Sequence, residues 1–471
     1  MASYRPTIGL EIHAELATRS KMFCGCRNDP NEKRPNVNIC PVCMAHPGTL
    51  PVINKEAVRK ILLVGTALDG VIASRTYFDR KNYFYPDIPK GYQISQYKDP
   101  LVSGGKLAGV SVTRVHLEED TARSTHEKDR SLVDFNRAGV PLMELVTEPV
   151  IHDAATAGAF ARELQLLLRY LKAGEANMEK GEMRVEANIS VSTGDTLGTK
   201  VEVKNLNSFR SVERAIAYEV ERQSKVLEEG GMIEQETRGW DEGKQATFSQ
   251  RKKESSHDYR YFPEPDLPEL ILSTIPEFSP LLLRESLPEL PWARRERYLE
   301  QGLKKDDADM FVREALLGNF FDMVLQHTSK DIALRASNYL ASDIAGSLER
   351  GEVASSWLTD ERNALRFGRL MQMIAAGSLS SRGGKDTLML MFESSEDPEV
   401  LASSRGLLQE NNSARLDEIA RGVIAAHQSV ADDYRAGKAT ALQFLIGQGM
   451  RESKGSANPA ALKEAFEKLL K

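Results

Sequence analysis

The chain has 471 residues, of which 41% are hydrophobic and 28% charged, and its formal net charge is −6. This length predicts about three domains, and the composition is typical of a soluble globular protein. The sequence has no apolar run of the ~20 residues that span a bilayer, and its first six residues lack the apolar core of a secretory signal. The negative charge excludes a chain-wide basic surface for nucleic acid, but not a local one.

Period-two alternation predicts strands in the N-terminal half. The segments with this pattern are 8–16, 183–191 and 200–204. In the first of them Glu11 and His13 alternate with Leu10 and Ile12, so the ionisable side chains share one face. Each segment thus has one apolar and one ionisable face, as in an antiparallel sheet with one exposed concave face.

All four cysteines lie between Cys24 and Cys43, as Cys24-Gly25-Cys26 and Cys40-Pro41-Val42-Cys43. Two pairs about fourteen residues apart can close a tetrahedral four-sulfur site, which favours a structural Zn²⁺ in a reducing compartment. Four buried free thiols are the alternative. Since the first pair has only one intervening residue, His46 could replace Cys24 or Cys26 as a ligand.

The chain becomes helical after about residue 290, following seven prolines within thirty residues. Asn458-Pro459 reads as an N-cap followed by a first-turn proline, and the Gly/Ser run 377–384 predicts a flexible turn. We therefore expect an α+β unit at 1–292, a helical domain at 293–402 and a small helical tail at 403–471.

Acidic side chains recur near the predicted strands. Glu11 and His13 share a face, Glu118 and Glu119 follow His116, and Glu144 lies in a later apolar segment. Clustered carboxylates repel one another unless a cation neutralises them, and oxygen ligands suit Mg²⁺, which often also binds nucleotide phosphates. Solvated surface charge is the alternative interpretation.

Three segments combine aromatic, cationic and amide side chains, at 78–96, 204–210 and 258–263. Such residues can stack a base and bind phosphates, but the same composition is typical of protein interfaces. The sequence contains no P-loop, no G-x-G-x-x-G after a strand and no serine nucleophile elbow.

Taken together, these segments resemble the B subunits of bacterial aspartyl/glutamyl-tRNA amidotransferases over essentially the whole chain. The matching segments are 9–13, 78–96, 116–120, 134–142, 204–208, 258–266 and 454–459. The resemblance implies a catalytic cradle with a glutamine synthetase-like fold, followed by helical domains that hold tRNA.

The resemblance also implies an activity, that of a carbon–nitrogen ligase with glutamine as amido-nitrogen donor. Such a subunit uses ATP and Mg²⁺ to phosphorylate the side-chain carboxylate of Glu-tRNA(Gln) or Asp-tRNA(Asn), and ammonia then attacks the acyl phosphate. A glutaminase A subunit supplies the ammonia and a small C subunit joins A to B, as a cytoplasmic heterotrimer without membrane association. The missing nucleophile elbow agrees with a glutaminase in another chain.

The resemblance assigns roles to individual residues. The implied Mg²⁺ ligands are Glu11, His13, Glu118 or Glu119, and Glu144. The candidates for binding phosphate or transition-state charge are Lys81, Lys90, Arg184 and Lys204, and the candidates for binding ATP also include Tyr83, Ser95, Gln96 and Asn205. The candidates for tRNA phosphates in the tail are Arg435, Lys438, Arg451, Lys454 and Lys463, with solvated helix charge as the alternative for each.

One departure from the family pattern follows Asp120, where Thr121-Ala122-Arg123 replaces Ala-Gly-Lys. The lost glycine casts doubt on the local turn, and Arg123 keeps the charge without the ammonium geometry. Two other functions remain open, a non-catalytic RNA-binding scaffold and a free-standing metal-dependent ligase of a small acid. A scaffold does not need the clustered carboxylates, and a small substrate does not need the helical tail.

Overall fold

The computed structural model describes residues 4–194, 196–252, 259–409, 413–453 and 456–470, with 251 and 252 described through their backbone alone. Asp258 and Lys454, which carry expectations above, lie outside these ranges. The chain divides into two compact units, Met1–Pro291 and Trp292–Lys471. The first is mixed and the described part of the second is helical, which confirms the α+β fold followed by helices.

The described residues of the first unit form fifteen strands and four α-helices. The strands are β1 Arg5–Glu15, β2 Val71–Ile72, β3 Asp79–Asn82, β4 Tyr92–Ser95, β5 Val102–Ser103, β6 Lys106–Leu107, β7 Val110–Glu119, β8 Arg123–His126, β9 Ser131–Asp134, β10 Pro141–Thr147, β11 Met183–Ser192, β12 Val201–Leu206, β13 Glu236–Asp241, β14 Ala246–Lys252 and β15 Phe262–Pro263. The helices are α1 Lys55–Ala67, α2 Ala154–Tyr170, α3 Phe209–Glu228 and α4 Pro280–Glu285.

Ten of these strands form the main sheet, in the order β14-β13-β12-β11-β1-β10-β7-β5-β2, with β6 paired to β7. Neighbouring strands are antiparallel except β12 and β13, which run parallel. At the centre of the sheet, His13 on β1 lies opposite Arg184 on β11 and Glu144 on β10. The alternation predicted for β1 and β11 thus places His13 and Arg184 side by side, and the pairing with β10 adds Glu144.

The other face of the sheet is apolar and covered by helices. Ile8, Leu10, Ile12 and Ala14 of β1 are at most 1% exposed. Helix α2 packs on β1, α3 on β11 and α1 on β7. Each large side chain buried in this way stabilises the fold by ~1.5–3 kcal/mol. Asp153 caps α2 by accepting a hydrogen bond from the Thr156 backbone N–H at 2.7 Å.

A small sheet in the order β15-β3-β4 joins two distant parts of the chain. Arg80 on β3 donates hydrogen bonds to Glu264 at 2.7 Å and to Asp266 at 3.1 Å. Because Glu264 is buried, this ion pair holds the segment after residue 259 against β3 and β4.

The cysteine segment between β1 and α1 contains no regular helix or strand among its described residues. Backbone hydrogen bonds join it to the loop before β10, where the Met22 N–H donates to the Gly139 carbonyl at 2.7 Å. The side-chain oxygen of Asn136 accepts hydrogen bonds from the N–H groups of Val37 and Asn38 at 2.9 and 2.8 Å. These bonds fix the cysteine segment beside the strand that carries Glu144.

The second unit begins within α5 and contains twelve α-helices in its described residues. They are α5 Pro291–Glu300, α6 Lys305–Arg313, α7 Ala315–Gln326, α8 Lys330–Tyr339, α9 Ala345–Glu349, α10 Glu361–Ala375, α11 Ser381–Glu393, α12 Pro398–Ser404, α13 Ser413–Ala426, α14 Gln428–Arg435, α15 Thr440–Glu452 and α16 Pro459–Leu470. A π-helical turn, Leu340–Ile344, joins α8 to α9.

The last four helices share an apolar core that includes Leu416, Leu445, Leu462 and Phe466. Asn458 caps α16 through hydrogen bonds from two backbone N–H groups, which confirms that prediction. The predicted boundary between residues 402 and 403 falls inside α12, so the three-domain division stays a prediction.

The turn predicted over the Gly/Ser run 377–384 is wrong in its second half, where α11 begins. Ser380 caps this helix by accepting a hydrogen bond from the Gly383 N–H at 3.0 Å. A Cβ atom on Gly384 would lie 2.4 Å from Ile374 Cδ1, so this glycine allows two helices to pack closely. The sequence indicated flexibility, whereas tertiary packing explains the glycine.

Candidate active site

One face of five adjacent strands carries charged and polar side chains, here called the charged face. Its members are Glu202 and Lys204 on β12, Arg184, Glu186 and Asn188 on β11, Glu11 and His13 on β1, Glu144 on β10, and Arg114, His116 and Glu118 on β7. The strand alternation that buries the apolar side chains beneath α2 and α3 directs these groups to the opposite side.

His13 lies at the centre of the charged face, among three carboxylates. Its Nε2 atom is 3.4 Å from Glu144 Oε2, 3.6 Å from Glu118 Oε1 and 4.0 Å from Glu11 Oε1. His116 approaches the same oxygen of Glu144, at 3.4 Å from its own Nε2. Glu144 and the four groups around it therefore come from three neighbouring strands.

The surroundings of these groups set their protonation. Burial raises the pKa of Glu11, and the negative charges of Glu144 and Glu186 raise it further. Burial also disfavours ionised Glu144, but the positive charge of His116 and hydrogen bonds with both histidines hold its pKa below the usual range. Burial alone would lower the pKa of His13, yet Glu144, Glu118 and Glu11 raise it to about 9. Without a bound cation, protonated His13 thus offsets part of the negative charge.

The donor atoms of this face are arranged as cation ligands. Three sets lie with their ligand atoms within 4.8 Å of one another: Glu11, His13 and Glu144; His116, Glu118 and Glu144; and Glu11, Glu186 and Glu202. His116 Nδ1 is buried without a hydrogen-bond partner. Carboxylate oxygens dominate these sets, which fits a hard divalent cation such as Mg²⁺ better than a softer metal.

Cationic side chains surround the carboxylates in a cavity of about 220 Å³. Burial would lower the pKa of Lys81, but the charges of Glu118 and Glu144 raise it overall, so Lys81 stays protonated. Arg114 Nη2 lies 3.5 Å from Glu144 Oε1, and Lys204 Nζ lies 2.9 Å from Glu186 Oε2. The cavity therefore offers both cation ligands and groups that can bind phosphate.

Arg184 lies opposite His13 in the sheet and forms an ion pair with Asp120. Its Nη2 atom donates a hydrogen bond to Asp120 Oδ1 at 3.0 Å. Burial disfavours ionised Asp120, yet the charges of Arg184 and Arg137 keep its pKa below the usual range. This ion pair fixes the orientation of the Arg184 guanidinium.

Glu119 and Lys90, two of the predicted site residues, lie together outside this group. Glu119 follows Glu118 on the opposite face of β7, where Lys90 forms a buried ion pair with its carboxylate. The Ile94 N–H also donates to Glu119 Oε1 at 3.0 Å. Both side chains border a second cavity of about 230 Å³ next to the cysteines. The structure therefore separates this pair from the Glu144 cluster.

The predicted ATP-binding residues occupy different positions. Ser95 donates a hydrogen bond to Glu118 Oε2 at 3.0 Å, and Gln96 donates to Thr76 Oγ1 at 2.6 Å. Both line the 220 Å³ cavity with Lys204, while Tyr83 lies beside the ring of Tyr259. Asn205 is exposed, with a φ of 65°, and donates to the Trp240 carbonyl at 3.2 Å. The hydrogen bond from the Asn205 side chain to a backbone carbonyl indicates that this residue stabilises the local backbone conformation.

Sequence reasoning did not select Arg114, His116, Glu186 and Glu202. Glu186 and Glu202 were visible as alternating positions on predicted strands, whereas Arg114 and His116 lie on β7, for which the sequence analysis predicted no strand. The register between strands was the missing information, because only the pairing of β1 with β11 brings Glu186 opposite Glu11.

The four cysteines do come together in space. The sulfur atoms of Cys24, Cys26, Cys40 and Cys43 all lie within 4.8 Å of one another. The Cys40 backbone N–H points at Cys43 Sγ at 3.2 Å, and the buried ammonium of Lys21 lies 4.0 Å from the same sulfur. Both donors stabilise a thiolate. Four convergent sulfurs fit a closed Zn²⁺ site better than four unrelated thiols.

Two family models match the chain. The model of the GatB/GatE catalytic domain matches residues 6–275, and that of the GatB domain matches residues 319–470. The chain belongs to the GatB family. The sequence resemblance to amidotransferase B subunits is therefore confirmed, and the charged face lies within the part matched by the catalytic-domain model.

Three curated relatives, each named as the B subunit of aspartyl/glutamyl-tRNA(Asn/Gln) amidotransferase, match nearly the full length. The protein from Thermomicrobium roseum is 43% identical over 482 residues, covering 99% of both chains. One from Thermus thermophilus is 44% identical over 464 residues, covering 97% of both. That from Dehalococcoides mccartyi is 40% identical over 492 residues, covering 100% of this chain and 99% of the relative.

The departure from the GatB family pattern after Asp120 is accommodated locally. Ala122 is 1% exposed, its backbone N–H donates to the Asp87 carbonyl at 2.8 Å, and its φ is not positive. The position therefore has no conformational need for glycine. Arg123 is exposed at the start of β8, outside the Glu144 cluster.

Of the tail cations predicted to meet tRNA, Arg435, Arg451 and Lys463 lie at exposed positions on helices of the GatB domain, and Lys438 is exposed between α14 and α15. Arg435 pairs with Asp432 at 2.9 Å, Lys438 with Asp433 at 3.0 Å and Lys463 with Glu467 at 3.6 Å. Arg451 is exposed in the last turn of α15. Surface pairs of this kind are weak and can exchange for phosphate contacts. As for membranes, no described helix combines the length and the hydropathy needed to cross one.

Proposed function

We propose that this chain is the carboxylate-activating subunit of a tRNA-dependent amidotransferase. It uses ATP and Mg²⁺ to phosphorylate the side-chain carboxylate of Glu-tRNA(Gln) or Asp-tRNA(Asn), and ammonia then forms the amide. The observation that carries this proposal is the cluster of Glu11, His13, Glu118 and Glu144, of which Glu11 and Glu144 line a cavity together with protonated Lys81.

The residues fit the charge problem of this reaction. A carboxylate must approach a phosphate that is itself negative, and Mg²⁺ held by Glu11, His13, Glu118 and Glu144 would reduce that repulsion. Lys81 extends into the same cavity and can donate hydrogen bonds to the transferred phosphoryl oxygens. Arg114 and Lys204 border the cavity and can stabilise charge on the leaving diphosphate.

The proposed reaction proceeds in two steps. The substrate carboxylate oxygen forms a bond to the γ-phosphorus of ATP, and the bond between that phosphorus and the bridging oxygen of ADP breaks. Ammonia then bonds to the acyl carbon, phosphate leaves with the electron pair of the broken C–O bond, and the nitrogen loses one proton, which the departing phosphate can accept. Because water would hydrolyse the acyl phosphate, ammonia would have to arrive through a closed path from a partner subunit.

The proposal includes the partners that the family resemblance implies. A glutaminase A subunit and a small C subunit would complete a heterotrimer, and the naming of the relatives as one lettered subunit among several supports an assembly. The tail, through Arg435, Lys438, Arg451 and Lys463, would hold the tRNA by its phosphates. Since its substrate is misacylated tRNA, the complex would act in the cytoplasm.

Zinc would have a structural role in this proposal. Four sulfur ligands leave no open coordination position, so the ion would supply no Lewis-acid chemistry to the substrate. Because the cysteine segment is hydrogen-bonded to the loop before β10, the ion would stabilise the end of the strand on which Glu144 lies.

The decisive experiment is phosphate release from γ-labelled ATP by the heterotrimer with Mg²⁺. Glu-tRNA(Gln), Asp-tRNA(Asn) and correctly charged tRNA are compared in parallel. We expect release only with a misacylated tRNA, and a loss of at least about 100-fold in Glu144→Gln. Glu179→Gln, an exposed position on the loop before β11, is the matched control and should retain full activity. Tight tRNA binding without phosphate release would instead support the scaffold function.

A further inference from the structure

Five tyrosines form a continuous aromatic row beside the Glu144 cluster. Their order is Tyr85, Tyr83, Tyr259, Tyr261 and Tyr97, with successive ring centroids 6.1, 6.1, 6.1 and 4.3 Å apart. The last two rings are stacked with an interplanar angle of 12°. The row combines side chains from two distant parts of the sequence, so the small sheet of β3, β4 and β15 assembles it.

The inner end of this row opens into the cavity. Tyr97, Tyr259 and Tyr261 line the same 220 Å³ space as Glu11 and Glu144. Tyr97 remains 49% exposed, so its ring retains accessible surface although Tyr261 is stacked against it. Rings that serve only to fill a core are buried from solvent, which is not the case here.

A cation lies between the aromatic row and the carboxylates. Lys81 Nζ is 5.0 Å from the ring centroid of Tyr259, and its positive charge interacts with Glu118 and Glu144. A ligand that reaches from the tyrosines to the carboxylate cluster therefore passes an ammonium group. The site thus offers, in order, an aromatic surface, a cation and carboxylates that can bind a metal ion. A ligand that carries a base at one end and a phosphate or an acyl group at the other would fit this order.

A protein interface is the competing explanation for aromatic and cationic side chains. Phe84 and Tyr85, which are 79% and 58% exposed at the outer end of the row, are consistent with a protein interface. Tyr259 and Tyr261 are not consistent with such an interface, because they border a concave space that is also lined by buried carboxylates. A planar ring of small size can enter this space, whereas a folded protein surface cannot.

We propose that Tyr97, Tyr259 and Tyr261 form a stacking surface for an adenine ring. The adenine belongs either to ATP or to the 3′-terminal adenosine of the aminoacyl-tRNA, which share this chemistry. The inference rests on the proposed function, because only that reaction brings an adenine nucleotide and an aminoacylated 3′ end to one cavity. It adds a binding role for three residues outside the cation cluster.

The test measures the KM for ATP and the KM for misacylated tRNA separately, in the complete heterotrimer. The variants are Tyr97→Leu, Tyr97→Phe, Tyr261→Leu and Tyr261→Phe. Phe248→Leu is the matched control, because Phe248 is 46% exposed but does not line the cavity. Tyr97 is the safer position for folding, since its side chain is half exposed, and thermal unfolding is recorded for every variant.

Loss of a stacking ring should raise one of the two KM values at least about fivefold in the leucine variants. The phenylalanine variants, which keep the ring, should stay within about twofold of the wild type. An increase in the KM for ATP assigns the surface to ATP, and an increase in that for tRNA assigns it to the terminal adenosine.

Leucine variants with both KM values within about twofold of the wild type, in a complex that releases phosphate normally, would overturn this inference and leave the proposed function intact. A wild-type complex that releases no phosphate with any tRNA would overturn both. An equal effect of Phe248→Leu would also count against a specific surface.

Discussion

Glu11 on β1 lies directly opposite Glu186 on β11, two like charges in register on the charged face. Lys204 partly compensates them, with its Nζ 2.9 Å from Glu186 Oε2. Like charges directly opposite each other destabilise a sheet. Burial raises the pKa of Glu11, and the negative charge of Glu186 is one of the causes that raise it further. The fold thus tolerates a local repulsion that a divalent cation would relieve.

Glu11→Gln should therefore stabilise the metal-free chain and impair the activity. Removing one negative charge relieves the repulsion, so the midpoint of thermal unfolding in EDTA should rise. Addition of Mg²⁺ should raise the midpoint of the wild type more than that of the variant, because only the wild type keeps the full ligand set. A lower midpoint for Glu11→Gln in EDTA would show that this carboxylate stabilises the fold by itself.

Glu119→Gln distinguishes an ion-pair role from a cation-ligand role. Because Glu119 and Lys90 form a buried pair, the variant leaves an ammonium uncompensated and should lose about 3–5 kcal/mol of stability in urea unfolding. Combining it with Lys90→Met should recover part of that loss. The Kd for Mg²⁺, measured by calorimetry, should stay within about twofold of the wild type. A large rise in that Kd would restore Glu119 as a cation ligand.

Cys40→Ser should release zinc from the purified chain. The wild type should contain about one zinc ion per chain by elemental analysis, since four sulfurs form a single closed site. The variant should contain little or none, with a lower unfolding midpoint. If the wild-type chain contains no metal even after purification from a zinc-supplemented medium, the alternative of four buried free thiols would be favoured.

Asp153→Ala should cost about 0.5–2 kcal/mol of folding stability, because it removes the cap of α2. The hydrogen bond from the Thr156 N–H lowers the pKa of Asp153 below its usual 3.8. This contribution is therefore present above pH 3.8 and is lost as the pH falls below it. Urea unfolding between about pH 3 and 7 measures it, with Asp153→Asn as a control that keeps an acceptor. An unchanged stability difference throughout this pH range would contradict the role of the charge.

Arg435→Gln tests the contact of the tail with tRNA. If Arg435 exchanges its surface pair with Asp432 for a phosphate, the variant should reduce the slope of log K against log salt by about 0.7–0.9. Binding of misacylated tRNA to the heterotrimer, measured between about 50 and 200 mM salt, gives that slope. Glu179→Gln should leave it unchanged, and an unaltered slope in Arg435→Gln would remove this residue from the interface.

Local patterns determined much of this protein. Alternation predicted β1, β11 and β12 and placed Glu11 and His13 on one face, and the cysteine spacing predicted a convergent set. Long motifs established the family resemblance. The strand alternation and the cysteine spacing involve residues that are close in the chain, so the regular geometry of the backbone is enough to predict them.

Strand register and packing decided the rest. His116, Glu186 and Glu202 joined the site only through pairing between strands that are far apart in the chain. Glu118 and Glu119 are adjacent in sequence but separated by the sheet, because successive side chains point to opposite faces. The tyrosine row likewise required the pairing of β15 with β3. Such contacts depend on the free energy of the whole fold, and no local pattern encodes them.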